Sequence, residues 1–347
     1  MQKIPFKTWV VNRTSQLDFD NALPYFILAF YHLAPVANPQ EEVALHHAFF
    51  QDQDAKGRIY LAPLGINGTL SLPKELALRY MQWIWSKPGF ENAEFKIQEY
   101  ETHAFGRLCV KTRAELVALG FDVPLQMRGT HLKPSEWRAM LEEEKDKVVL
   151  DIRNDYEYKL GHFEGAVAPP CETFKDFKEY ADELKTKIDP ENTKVLMYCT
   201  GGIRCEFFSA YLKQNGIENV FQLQGGVIKY GAEEKSKHWV GKLFVFDDRL
   251  AVPVSDEETE VIGKCHHCQG PSDRYYNCAN MDCNELFICC ETCLNTFHGC
   301  CKTECSGTNR VRPFKLANTP FRKWYTYAKT KEELNQLRVV EGSHANN

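Results

Sequence analysis

Near the middle of the chain an apolar run ends directly on a cysteine, and the residues around that junction restrict the local fold more than any other feature. Residues 193–198 (TKVLMY) show no polar alternation, the signature of a strand covered on both faces. They lead straight into Cys199, Thr200, Gly201, Gly202, Ile203 and Arg204, followed by a helix-forming run over residues 204–215 that Gly216 closes. A second apolar run, residues 147–152 (KVVLDI), precedes it, and a helical stretch over residues 174–187 lies between the two. Strands of this kind joined through helices predict a parallel α/β sheet with helices on both faces.

That unit accounts for about a third of 347 residues, so more than one domain is expected. Three segments and a tail are predicted. Residues 1–125 mix strand-like stretches (25–31, 58–64, 94–100, 105–111) with a helix over 73–85, the order of a ferredoxin-like α+β sandwich. The run Gly65, Ile66, Asn67, Gly68, Thr69 reads as a turn, in which Asn67 and Gly68 supply the positive φ of a hairpin. Residues 126–246 form the α/β unit, residues 247–328 are cysteine-rich and then basic and aromatic, and residues 329–347 are expected to be disordered. The fold class is therefore multidomain, α+β followed by α/β.

With 44% hydrophobic and 26% charged residues the chain is globular rather than disordered. It contains no apolar run of about 18 residues and starts without a signal-peptide pattern, so a cytoplasmic protein without membrane contact is expected. A net charge of -5 argues against a polyanion binder over its whole surface.

The cysteine loop has the makings of an anion site. N–H groups of a glycine-bearing loop at a helix N-terminus converge on one point, where the helix dipole adds positive potential. Cys199 placed there should be a thiolate near neutral pH and act as the nucleophile, and Arg204 adds a fixed charge and a fork of donors. Thr200, Gly201, Gly202 and Ile203 form the rest of the loop. Cys205 reads as core packing, with a resolving thiol as the alternative. Asp151 and Arg153, at the end of the earlier strand, are assigned to positioning the loops, and His162 to structure.

Ten of the fourteen cysteines fall between residues 265 and 305. The pairs Cys265 and Cys268, Cys278 and Cys283, Cys290 and Cys293, Cys301 and Cys305 suit two tetrahedral zinc sites. Which pair joins which is not readable, and His266, His267 and His298 remain candidate ligands. Disulfides are the alternative, disfavoured by the expected compartment.

Residues 129–230 resemble a single rhodanese domain, through Asp151, Ile152, Arg153, the run Gly161 to Ala166, the Cys199 loop, and Gly225 with Gly226. Phosphatases of that superfamily have a loop one residue longer, so a sulfur-sized site is implied. The run CTGGIRCE at residues 199–206, the GINGT run and the cysteine array together are similar to the bacterial tRNA uridine(34) hydroxylase family over nearly the whole chain. The resemblance implies an acylphosphatase-like or ferredoxin-like first domain and oxygen-dependent formation of 5-hydroxyuridine at the wobble position of tRNA. Molecular oxygen would be the co-substrate and Cys199 the catalytic cysteine. Residues 61–64 (LAPL) lack the acidic residues associated with this spot in the family, which leaves the first domain without an assigned substrate contact.

The chain carries no flavin, haem, non-haem iron or nucleotide motif. Either Cys199, as thiolate or persulfide, adds to uridine C6 and makes C5 electron-rich, or it only carries sulfur. The rival functions are a persulfide or thiosulfate sulfurtransferase and a non-catalytic regulatory rhodanese module. Between residues 302 and 325, Lys302, Arg310, Arg312, Lys315, Arg322 and Lys323 face the single Glu304, a local charge of +5. Phe314, Phe321, Trp324 and Tyr325 lie among them, so Arg310, Arg312, Lys315, Arg322, Lys323 and Trp324 are candidate tRNA contacts. The alternative is that the segment packs back on the protein.

Overall fold

Alternation in the first segment becomes a six-stranded sheet in the computed structural model, which describes residues 6–16, 19, 22–120, 122–171, 176–308 and 310–312. Its elements are β1 (Thr8–Val11), β2 (Tyr25–Leu33), α1 (Pro39–Phe49), β3 (Lys56–Ala62), β4 (Gly65–Pro73), α2 (Lys74–Trp85), β5 (Glu94–Tyr100) and β6 (Leu108–Thr112). The sheet order is β1-β5-β2-β4-β3-β6, with β3 and β6 parallel and the other pairs antiparallel. Strands β2 to β5 with α1 and α2 make the ferredoxin-like arrangement. Successive side chains of a strand face opposite ways. Phe26, Leu28, Phe30, Ile59, Leu61, Leu70, Phe95 and Ile97 therefore pack with Leu76, Tyr80 and Ile84 of α2 in one core. Residues between them in sequence, Ile27, Ala29, Tyr31, Arg58, Tyr60, Asn67, Thr69, Lys96 and Gln98, line a cavity on the opposite face.

The hairpin expected at Asn67 and Gly68 lies elsewhere. Ala62 pairs with Gly65, so the turn is Pro63–Leu64, and the GINGT run is strand β4. The glycines serve close approach instead: a Cβ on Gly65 would sit 2.1 Å from the His32 carbonyl oxygen, and one on Gly68 would sit 2.6 Å from Cζ of Phe30.

The second segment holds β7 (Thr130–Leu132), α3 (Pro134–Glu143), β8 (Lys147–Asp151), α4 (Asp155–Leu160), β9 (Gly161–Phe163), α5 (Phe177–Lys187), β10 (Lys194–Tyr198), α6 (Ile203–Gln214), β11 (Val220–Leu223) and α7 (Gly226–Glu234). β12 (Trp239–Gly241), β13 (Leu243–Phe244) and β14 (Ala251–Val252) follow. A parallel sheet runs β7-β11-β10-β8. β10 is apolar throughout because both its faces are covered: Val195 and Met197 enter one core, Leu196 and Tyr198 another.

These two segments form one compact unit that extends through Glu260, and a second unit begins at Val261. Residues 247–260 therefore sit with the first unit, where β14 pairs with β13. The second unit carries β15 (Tyr275–Asn277), β16 (Leu286–Ile288) and α8 (Glu291–Thr296). The expected tail at residues 329–347 lies outside the described residues, as do residues 174 and 175 of the helix expected at 174–187. No described helix is long and apolar enough to cross a membrane.

Candidate active site

β10 delivers Cys199 to the N-terminal end of α6, where Gly202, at φ +106°, closes the turn. The loop carbonyls are held from behind by the first turn of α7: Val227 N–H donates to the Cys199 carbonyl (3.0 Å) and Ile228 N–H to that of Thr200 (3.2 Å). Gly226 permits this contact, since a Cβ there would lie 2.6 Å from both oxygens. With the carbonyls engaged, the loop's N–H groups turn towards the sulfur, and Gly202 N–H donates to Sγ at 3.1 Å.

Burial by itself would raise the Cys199 pKa. The Cys205 thiol, the Arg204 charge and the N–H groups of Gly202 and Arg204 outweigh it and bring the thiol down to about 6. Cys205 is fully buried in α6, and its own pKa rises well above normal through burial and its thiolate neighbour. It is a donor to Cys199 as well as a packing residue.

Arg204 does not point its fork freely at the loop. Nη1 and Nη2 donate to Oε2 and Oε1 of Glu157 at 2.7 and 2.9 Å, and Nη2 reaches Thr200 Oγ1 at 3.3 Å. Thr200 also donates to Glu157 (3.1 Å). Glu157 is wholly buried in α4, and despite that burial Arg204 holds its pKa below the ordinary range. Its backbone setting was visible as Asn154 followed three residues later by glutamate, a capping pattern: Asn154 N–H donates to Glu157 Oε2 at 3.0 Å.

Asp151 and Arg153 form a buried ion pair, with Nε to Oδ1 at 2.8 Å and Nη2 to Oδ2 at 2.5 Å. Tyr198 donates to Asp151 (2.7 Å), and Arg153 donates to the Gly161 carbonyl (2.6 Å). The pair ties the ends of β8 and β10 to β9. His162 stacks on Tyr158 at 3.9 Å between ring centres and contacts the Tyr158 carbonyl through Nδ1.

Facing the loop is a cavity of about 790 Å³. One wall is Cys199, Thr200, Gly201, Ile203 and Arg204; the other is the polar face of the first domain's sheet. Of that face, Lys96 is only 3% exposed, and burial lowers its pKa against the pull of Glu94, 3.6 Å away. Its ammonium lies 5.4 Å from the Tyr31 ring centre. The Tyr31 hydroxyl donates to Glu206 Oε1 at 2.9 Å. Arg249 is gripped by Asp247 and reaches Gln98 at 2.9 Å. Sequence reasoning missed Lys96, although its alternation with Phe95 and Ile97 marks it as facing away from the core.

In the second unit the cysteines settle into two groups, Cys265, Cys268, Cys290 and Cys293, and Cys278, Cys283, Cys301 and Cys305, each with its sulfurs within 4.8 Å of one another. First and third pairs combine, as do second and fourth, so the groups interlock along the chain. Sulfur separations of 3.5 Å (Cys283 to Cys301), 3.8 Å (Cys268 to Cys290) and 4.0 Å (Cys301 to Cys305) bracket the roughly 3.8 Å edge of a tetrahedron with metal–sulfur bonds of about 2.3 Å. No cysteine is in a disulfide, and among the described residues no histidine joins either group. His267 instead stacks on Phe297 and contacts the Cys300 carbonyl.

Of the candidate tRNA contacts, Arg312 is 6% exposed and donates to the carbonyls of Ala279 and Cys278, which makes it part of this unit's frame. Arg310 pairs with Asp282. Lys315, Arg322, Lys323 and Trp324 lie outside the described residues.

Comparison with known proteins matches residues 25–116 to a UPF0176 acylphosphatase like domain, 133–233 to a Rhodanese-like domain and 240–306 to a Rhodanase C-terminal domain. The tRNA uridine(34) hydroxylase of Protochlamydia amoebophila is 51% identical over 307 residues, 88% of this chain and 96% of that protein. The protein of the same name from Chlamydia felis is 50% identical over 317 residues, 90% of this chain and 97% of its own. That from Chlamydia pneumoniae is 48% identical over 303 residues, 86% and 93%. At half identity over nearly the full length of these proteins, the chain belongs to the tRNA uridine(34) hydroxylase family.

Proposed function

We propose that this protein hydroxylates uridine 34 of tRNA at C5, with Cys199 as the reacting group and molecular oxygen as co-substrate. The observation that carries the reading is its half identity, over about nine-tenths of the chain, to proteins named for this activity. The site supports it chemically. A thiol with a pKa of about 6 is largely thiolate at neutral pH. It faces a cavity whose walls offer Tyr31, Tyr60, Asn67 and Gln98, groups able to flank and hydrogen-bond an unstacked pyrimidine. A base at an anticodon position must leave its stack to reach a buried nucleophile.

In this reading Cys199 adds to C6 of the uracil ring, which places electron density on C5 and O4. Lys96 and Arg204 supply the positive charge that such an addition requires. Arg204 acts with its fork held by Glu157, so its contribution is a fixed charge beside the sulfur. The first domain forms the wall opposite the loop, giving it a substrate role that its sequence did not suggest. Two zinc ions held by the two groups of four cysteines would fix the second unit, supplying a structural tetrahedron at each group. The basic run that follows, with Lys315, Arg322, Lys323 and Trp324, contacts the tRNA backbone and unpaired bases. The protein works in the cytoplasm, where its substrate is.

Nucleoside analysis of tRNA from cells lacking the protein tests the reading. Loss of 5-hydroxyuridine-type nucleosides from the wobble position is expected, and an unchanged nucleoside profile overturns it.

A further inference from the structure

The loop that follows β13 is bolted to the first domain. Arg58 of β3 donates to the Phe246 carbonyl, Asp248 N–H donates to the Ala104 carbonyl at 2.8 Å, and Arg249 Nη1 donates to Gln98 Oε1 at 2.9 Å. Those contacts fix the backbone at and after Phe246, yet its phenyl ring is 44% exposed. Single exposed apolar side chains are ordinary on a protein surface. This one differs in two respects. It is the one exposed phenylalanine, tyrosine or tryptophan among the described residues, and it lines the cavity that holds Cys199. Its ring meets that of Phe244 edge to face, with centres 5.2 Å apart, and among the described residues no other ring or cation lies against it. Whichever of the two rings gives its edge, at least one face of Phe246 is free of another ring.

We propose that Phe246 is a stacking platform for the nucleobase next to uridine 34, so that the cavity takes two consecutive nucleotides of the anticodon loop. The proposal rests on the hydroxylation reading, which brings the uracil of nucleotide 34 to Cys199. A base that enters the cavity leaves its stack, and its neighbour loses the face contact the two had shared. A phenyl face at the rim replaces that contact. The cavity, at about 790 Å³, has room beyond one pyrimidine ring. Because the backbone under the ring is already held, little order has to be imposed when a base arrives. Arg58 is the positioning residue: it holds the Phe246 carbonyl, and its own guanidinium lies 5.4 Å from the centre of the Phe105 ring. Every base has a π face, so the platform sets no sequence requirement at the position it holds.

Equilibrium binding at fixed salt is measured for the full-length protein and its Phe246→Ala, Phe246→Leu and Phe246→Tyr variants. Each meets intact tRNA and tRNA made abasic at position 33 or at position 35. Stacking of one base on an aromatic side chain corresponds to roughly 5- to 150-fold in affinity. Phe246→Ala and Phe246→Leu should lose a factor in that range, and Phe246→Tyr, which keeps the ring, should bind as the wild type does. The wild type should lose a similar factor at one of the two abasic positions. Phe246→Ala should lose nothing further there, and that position identifies the stacked nucleotide. Wild-type affinity in Phe246→Ala or Phe246→Leu overturns the platform. So do abasic tRNAs that the wild type binds as tightly as intact tRNA, and losses that add at both positions. Formation of 5-hydroxyuridine by the wild type on intact tRNA, followed in parallel, keeps the two readings apart. Product alongside any of those results leaves hydroxylation standing without the platform, and absence of product overturns hydroxylation and the platform with it.

Discussion

Arg204 lies fork to fork on Glu157, with two parallel contacts of 2.7 and 2.9 Å between a helix that starts at the reactive loop and one 47 residues earlier in the chain. The guanidinium therefore holds its place beside Cys199 before any substrate arrives, and no reorganisation is needed as charge develops there.

Replacing Arg204 by Lys should raise the pH at which Cys199 becomes reactive. A point charge cannot span both carboxylate oxygens and will sit less firmly near the sulfur. The native thiol is held at about 6, so removing support for the thiolate moves its midpoint upward, towards the roughly 8.5 of a free cysteine. Alkylation by iodoacetamide followed against pH reads this directly. Cys205→Ala should shift the midpoint in the same direction, since the Cys205 thiol donates to the thiolate. An unchanged midpoint in both variants would contradict the assigned causes.

Lys96→Met should reduce turnover by roughly tenfold or more without loosening the fold. The ammonium is buried against Tyr31, and a methionine of similar length fills its space without the cost of burying a charge. Glu94 keeps its partner, since Lys229 lies 2.6 Å away. Melting temperature and 5-hydroxyuridine formation, measured on the same sample, separate the two effects. Wild-type turnover would remove Lys96 from the charge balance of the site.

The purified protein should contain two zinc ions, and the interlocked pairing makes a sharper expectation. Cys268→Ser and Cys290→Ser should each lose the same single ion, and the double variant should lose no more. Combining Cys268→Ser with Cys283→Ser should lose both, because those residues belong to different groups. Metal analysis after dialysis reads the count. Loss of both ions from the Cys268→Ser, Cys290→Ser pair alone would contradict the pairing.

The geometry of the loop was legible in the sequence because strand end, thiol, glycines and arginine are contiguous. Part of the first domain's sheet was legible too: β5 occupies residues 94–100 as its alternation predicts, and β10 runs into Cys199 as expected, whereas β1 and the central β4 were not read as strands. What escaped depends on contacts between residues far apart in the chain. Glu157 reaches Arg204 across 47 residues and Tyr31 reaches Glu206 across 175, and no local spacing encodes either. The GINGT run misled because glycines that permit close packing of strands look the same in sequence as glycines that permit a turn. The pairing of the cysteine pairs was hidden for the same reason as Glu157.

The central claim is that Cys199 is the group that reacts with uridine 34, and the direct measurement is nucleoside mass spectrometry of tRNA incubated under oxygen with wild-type protein and with Cys199→Ser. A serine of similar size keeps the loop but has no low-pKa thiol. The account predicts 5-hydroxyuridine at position 34 with the wild type and none with the variant, while circular dichroism of the two proteins remains the same. Product formed by a folded Cys199→Ser protein would contradict it.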